Sequence, residues 1–103
     1  MSTEIINDVK IDEKIKHIVS EPKKYNVIML NDDSTPVDWV IEILKQIYKH
    51  SDRDAEALTM KIHTEGSAIV GTYFFEIAEQ KATETIHASR NHGFPLTVKI
   101  DEA

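Results

Sequence analysis

A strand-like run that passes through a polar turn into a helix-like pattern is the feature that most restricts the fold of this chain. Tyr25–Leu30 is a short, nearly continuous apolar run, which is typical of a strand buried on both faces. The polar residues 31–35 follow it, and Thr35 before Pro36 is typical of a helix N-cap and a first helical residue. Apolar residues then recur at three- and four-residue steps. The pattern predicts a buried strand, a turn and an amphipathic helix over about residues 36–49.

Four more elements are predicted after this helix. Ser51 begins a second helix with a capping box, and Gly66 ends it as a left-handed terminator. A strand with an interior glycine is predicted over residues 67–73, and a third helix follows it and stops near residues 91–93. Residues 95–100 alternate apolar and polar side chains, which predicts a closing strand with one wet face. The expected fold is an α/β (α+β) sandwich of order βααβαβ, in which three helices cover a small three-stranded sheet.

Length and charge narrow the class of protein. A chain of 103 residues has room for one hydrophobic core. Residues 1–22 are charged and without an aromatic side chain, so we expect a flexible N-terminal extension before a domain over residues 23–103. The formal net charge of −6 argues against binding to nucleic acid or to an anionic membrane. No apolar run is long enough to span a bilayer and no signal peptide is recognisable, so a cytoplasmic location is expected.

Two polar features could carry chemistry, and each also has a purely structural interpretation. The turn Asn31–Pro36 has the composition that a strand-to-helix connection prefers, but its amide and carboxylate oxygens could also hold a small cation or an ammonium group. His63 lies one turn before Gly66, where a histidine commonly completes the end of a helix. There is no cysteine, no metal-ligand spacing, no nucleophile elbow and no nucleotide-binding motif. We therefore expect a protein that is not an enzyme and needs no metal or cofactor.

Taken together, these motifs resemble the ClpS family over residues 23–102. The matching segments are Tyr-Asn-Val-Ile-Met-Leu-Asn-Asp-Asp-Ser-Thr-Pro from Tyr25, then Ile62-His63 with Gly66, the Ala-Ile-Val-Gly run that ends at Gly71, and Pro95-Leu96. ClpS proteins are bacterial adaptors that bind N-degrons, meaning proteins whose first residue is bulky and apolar, such as Leu, Phe, Tyr or Trp. They deliver these substrates to the ClpA unfoldase of the ClpAP protease. The resemblance implies both of these partners.

The resemblance also implies roles for individual residues. Asn31, Asp32 and His63 match the groups that bind the free α-amino group, and Asp33 and Thr35 support the same turn. Glu76 and Lys81 match residues that contact the N-terminal domain of ClpA. The matching positions for the first side chain's pocket are Leu30, Val37, Val40, Ile41, Thr59, Ile62 and Leu96.

Elementary chemistry agrees with this interpretation. An α-amino group is mostly cationic at neutral pH and offers three donors, which suit an amide oxygen, a carboxylate and a neutral imidazole. Methionine is common in the family at two pocket positions where this chain has Val37 and Thr59, so we expect better acceptance of N-terminal Ile or Val. The alternative function is a small interaction module of ribosome-stalk type, which would ignore peptide termini.

Overall fold

Residues 22–103 are described by a computed structural model, and the predicted order of elements is confirmed. The prediction of a flexible extension over residues 1–22 lies outside the described residues except for Pro22. The strands and helices follow one another in the order β1 (Lys24–Leu30), α1 (Val37–Gln46), α2 (Asp52–Glu65), β2 (Ser67–Phe74), α3 (Phe75–Asn91) and β3 (Thr97–Glu102). The described residues therefore form the three-stranded, three-helix α+β fold expected from the sequence.

The sheet is antiparallel, with β1 in the centre in the order β2-β1-β3. β1 alternates between buried and part-exposed residues, with Val27 and Met29 fully buried, so the expectation of burial on both faces was wrong. The cause is that helices cover one face of this sheet, and an antiparallel sheet tolerates solvent on the other. The central strand ends at Leu30, directly before the polar turn.

A β-bulge interrupts the pairing of β1 with β2. Val27 pairs with Gly71 whereas Ile28 pairs with Ile69, so Val70 is the additional residue. His50 satisfies the Val70 carbonyl oxygen with its Nε2 at 2.7 Å. Beyond the bulge, Tyr73 packs against the core and its ring covers Gly71, where a Cβ atom would overlap with that ring. The interior glycine thus permits the close approach of an aromatic side chain.

The helix termini show where local sequence signals hold and where they do not. The Ser51 hydroxyl accepts a hydrogen bond from the Asp54 N–H at 3.1 Å, and Gly66 ends α2 with a φ of 90°. Thr35, in contrast, is not the N-cap of α1: Pro36 holds that position and makes no side-chain capping bond. The Thr35 hydroxyl donates instead to Asp32, so the turn uses the group that was expected to cap the helix.

Two polar contacts inside the apolar core fix α1 and its C-terminal end against α3. The Trp39 Nε1–H donates to the Ser89 hydroxyl at 2.9 Å, and Ser89 is fully buried. The Tyr48 hydroxyl lies 2.8 Å from the Thr85 hydroxyl, and burial raises the pKa of Tyr48 to about 12. The rest of the core is apolar and comes from every element, so the helices are held firmly over the sheet.

Candidate functional site

The turn between β1 and α1 is organised by one carboxylate. Asp32 Oδ1 accepts hydrogen bonds from the backbone N–H groups of Ser34 and Thr35, both at 2.8 Å, and Oδ2 accepts from the Thr35 hydroxyl at 2.7 Å. An aspartate that binds the N–H groups two and three residues later is a common way to stabilise a turn. Each carboxylate oxygen has two lone pairs, so Oδ2 retains acceptor capacity for a ligand.

A backbone hydrogen bond joins this turn to the end of α2. The N–H of Asn31 donates to the carbonyl oxygen of Gly66 at 2.9 Å. His63 lies in the last turn of the same helix and is exposed. Because Gly66 takes the left-handed conformation, the chain reverses into β2 and keeps the helix end beside the strand end. Asn31 and His63 therefore line one opening, although they are 32 positions apart in the sequence.

The opening between them is a cavity of about 170 Å³. Six of the seven predicted pocket residues line it, together with all five predicted polar residues of the turn and the helix end. The lining residues are Leu30, Asn31, Asp32, Asp33, Thr35, Val37, Val40, Thr59, Ile62, His63 and Leu96. Apolar side chains and polar groups therefore lie side by side in the lining of one cavity.

The cavity has a buried apolar floor and an exposed rim. Leu96, Ile62 and Val40 are at most 7% exposed, whereas Val37 is 56% exposed at the edge. Thr59 is also buried, and its hydroxyl donates to the Ala55 carbonyl oxygen at 2.7 Å, one helical turn earlier. Because the hydroxyl is bonded within its own helix, the methyl group is the part of the Thr59 side chain that remains without a hydrogen-bonding role. The floor of the cavity is accordingly apolar, and the other polar lining residues lie at its mouth, where they are exposed or part-exposed.

A second, shallower groove begins at the same rim. It is lined by Val37, Ile41, Glu56, Thr59, Met60 and His63. Ile41, predicted for the cavity wall, lines this groove and not the cavity. Met60, which is 60% exposed, and Glu56 belong to the groove as well, and the sequence analysis assigned neither a role. They lie on the exposed side of α2, and the apolar periodicity of that helix predicts only which residues face the core.

The two residues predicted to contact an unfoldase differ in their surroundings. Glu76 is exposed in the first turn of α3. Lys81 is part-buried, and its Nζ donates to the Ile47 carbonyl oxygen at 2.7 Å and lies 5.3 Å from the centre of the Tyr73 ring. Ile47 is the C-cap of α1, where a cation is favourable. Lys81 therefore has a structural role whatever else it contacts.

The described residues contain neither a metal-binding cluster nor a membrane-spanning helix. Residues 22–103 contain no group of three or more His, Asp or Glu side chains arranged to hold a metal ion. Within these residues, no helix combines the length and the apolar character needed to cross a membrane.

The comparisons with a family model and with individual proteins agree on one family. A family model described as "ATP-dependent Clp protease adaptor protein ClpS" matches residues 20–99. An ATP-dependent Clp protease adapter protein ClpS of Treponema denticola is 43% identical over 82 residues, which are 80% of this chain and 81% of the relative. A protein of the same description from Vibrio cholerae is 38% identical over 96 residues, 93% of this chain and 91% of the relative.

A solved structure is similar in fold as well as in sequence. It is Agrobacterium tumefaciens ClpS2 bound to L-phenylalaninamide, and it superposes with a TM-score of 0.77 at 36% identity. The match covers 80% of this chain and 99% of that chain.

Proposed function

The chain belongs to the ClpS family and is an adaptor of the Clp protease, and we propose that it binds N-degrons and delivers them to the ClpA unfoldase. The observation that carries the proposal is the cavity of about 170 Å³ with an apolar floor and with Asn31, Asp32 and His63 at its mouth. A first residue offers a free α-amino group and a side chain on the same carbon, so both can be bound at once.

The size of the cavity suits one large apolar side chain. An apolar cavity of roughly 150 Å³ is sufficient to hold a benzene molecule, and this one is slightly larger. The ligand of the similar ClpS2 structure, L-phenylalaninamide, has a benzyl side chain, a free α-amino group and an amide in place of the next peptide bond. It is therefore a minimal model of a protein that begins with Phe, and we propose the same class of ligand for this chain.

The polar mouth accounts for the requirement for a free terminus. We assign the amide oxygen of Asn31, the Oδ2 atom of Asp32 and a ring nitrogen of His63 as acceptors for the three N–H donors of the ammonium group. Thr35 keeps the turn in place through its bonds to Asp32, and Asp33 lies beside these groups in the lining of the cavity. Each hydrogen bond to a charged group contributes roughly 1.5 to 3 kcal/mol, and burial of a Leu or Phe side chain contributes a similar amount. Association costs roughly 4 kcal/mol or more, so neither the buried side chain nor a single one of these hydrogen bonds is sufficient alone.

Delivery requires a second surface. We propose that Glu76, exposed at the start of α3, contacts the N-terminal domain of ClpA. Lys81 is assigned to the same contact, although its internal hydrogen bond to Ile47 restricts the reach of its ammonium group. The exposed rings of Phe74 and Phe75 lie directly before Glu76 in the sequence and give this surface an apolar part.

The cavity wall also supports a preference among first residues. Val37 and Thr59 are both β-branched and shorter than the methionine common at these positions in the family. Thr59 lines the cavity, so its short side chain leaves space there that a methionine would fill. We propose that N-terminal Ile and Val bind better here than in a methionine-walled pocket.

The ribosome-stalk alternative relies on helix surfaces and makes no use of an enclosed cavity. Family membership and the polar mouth of the cavity both favour the N-degron function over it. A partner of the alternative type would bind equally well with its N-terminus blocked.

One titration tests the proposal. A short Leu-starting peptide with a dye at its C-terminus should bind, and its N-acetylated form should not, because acetylation removes the charge and two donors. The variants Asn31→Ala and Asp32→Ala should lose most of the affinity. Equal binding of the free and acetylated peptides would exclude N-degron recognition.

A further inference from the structure

The groove beside the cavity combines an apolar wall with one carboxylate. Ile41, Met60 and Val37 form the wall, and Val37 and Met60 are more than half exposed. Glu56 is on the exposed side of α2 and lines the same groove. A side chain that is apolar along its stem and cationic at its end would complement both parts, as the long stems of Lys and Arg do on apolar surfaces.

The groove is continuous with the cavity. Val37, Thr59 and His63 line both, so their side chains form the boundary between the two spaces. We expect a peptide whose first side chain enters the cavity, with its ammonium group at Asn31, Asp32 and His63, to place its second residue next to this boundary, within reach of the groove.

The charge of the groove favours a cation. Glu56 forms no salt bridge with any other residue of the described range 22–103. Lys45 lies near enough to feel the charge of Glu56, but its ammonium group is paired with Asp52 at 2.7 Å. His63 is the other titratable group in the groove lining. The carboxylate of Glu56 is therefore available to a ligand.

We propose that this groove is a subsite for the second residue of the N-degron and that it selects Arg or Lys there through Glu56. The proposal rests on the N-degron function above and names a second feature of the substrate. The stem of the second side chain packs on Met60 and Ile41, and its cationic end pairs with the Glu56 carboxylate. Because an exposed ion pair contributes little, the preference over an uncharged side chain of the same shape is about two- to fivefold.

The experiment compares three peptides that differ only at the second position. All begin with Phe and carry a C-terminal dye, and their second residues are Arg, citrulline and Glu. Citrulline has the length of Arg without its charge, so the ratio of the Arg and citrulline dissociation constants isolates the ion pair. We expect the order Arg, citrulline, Glu, from tightest to weakest, by fluorescence anisotropy at low salt.

Variants assign the effect to the groove. Glu56→Gln should make Arg and citrulline equal, and Glu56→Lys should reverse the order of Arg and Glu. Glu79→Gln is the matched control, because Glu79 is an exposed glutamate of α3 that lines neither space. Met60→Ala should weaken the Arg and citrulline peptides by the same factor.

The outcomes separate this subsite from the proposed function. If all Phe peptides bind with equal affinity and N-acetylation abolishes binding, the subsite is wrong and N-degron recognition stands. If the Arg preference survives in Glu56→Gln, the assignment to Glu56 is wrong. If no Phe peptide binds, both proposals fail.

Discussion

Replacing Asp32 by Asn removes the negative charge at the mouth of the cavity while it keeps most of the turn. The Asn side chain presents its amide oxygen where Asp32 Oδ1 accepts from the N–H groups of Ser34 and Thr35. Its NH₂ group takes the place of Oδ2, and the Thr35 hydroxyl can rotate from donor to acceptor. The variant therefore tests the carboxylate as a ligand group separately from its structural role.

The size of the effect follows from the hydrogen bonds involved. In the proposed complex Oδ2 accepts from the peptide ammonium, and the Asn NH₂ group would place a donor against it. Loss of one charged hydrogen bond costs roughly 1.5 to 3 kcal/mol, which weakens binding by about 10- to 150-fold. The turn itself exchanges charge-assisted bonds for neutral ones at a part-buried position, so the free energy of unfolding should fall by about 1 kcal/mol.

The assay is peptide titration with urea unfolding of the same samples. Asp33→Asn is the control, because Asp33 lies beside Asp32, lines the same cavity and makes no hydrogen bond within the described turn. It removes the same charge, and binding should weaken by less than about threefold, as for a solvent-screened charge. Equal losses in the two variants would mean that the net charge of the turn attracts the peptide and that Asp32 makes no specific bond.

Three further predictions concern the cavity wall and the core. Thr59→Met should lower the affinity for an Ile-starting peptide relative to a Leu-starting one by about tenfold, because the added length occupies the space at the branch point; an unchanged ratio would remove the argument from shape. The free energy of unfolding should fall by about 2 to 3 kcal/mol between pH 10 and pH 12, since the raised pKa of Tyr48 keeps its phenol neutral in the fold while the unfolded chain ionises. Urea titrations of Tyr48→Phe should show a smaller decline, and an equal decline would assign it to other groups. Lys81→Met should lower the free energy of unfolding by about 2 kcal/mol, because it removes the bond to Ile47 and the contact with an aromatic ring. The exposed Lys61→Met should lower the same free energy by under about 0.5 kcal/mol. Equal losses in the two variants would refute the structural role of Lys81.

Local signals in the sequence predicted the elements well because each depends on a few neighbouring residues. The N-cap at Ser51 and the terminator at Gly66 were both confirmed. Thr35 was assigned wrongly as the cap of α1 because sequence alone does not show whether its hydroxyl will accept from a helix N–H group or donate to a nearby carboxylate, and here it donates to Asp32. The bulge at Val70 depends on pairing between strands and has no local signature.

The candidate site was predictable for a different reason. Its polar residues came from resemblance to a family, and the structure brings Asn31, Asp32 and His63 to one cavity. Whether a helix position faced the cavity or the groove depended on the rotation of each helix. The rotation of α1 places Ile41 in the groove and outside the cavity wall. The rotation of α2 places Glu56 and Met60 in the same groove, and the sequence had indicated no role for them. Their exposure had suggested only a solvated surface.

The hydrogen bond from the Asn31 N–H to the Gly66 carbonyl oxygen has a consequence for how such proteins diversify. It is made entirely by main-chain atoms, so it persists through changes of side chain at Val37 or Thr59. Under the proposed N-degron function, mutation can therefore alter which first residues are accepted while the demand for an unblocked chain end stays constant. Related adaptors should differ in their substrate repertoires far more than in their dependence on a free amine.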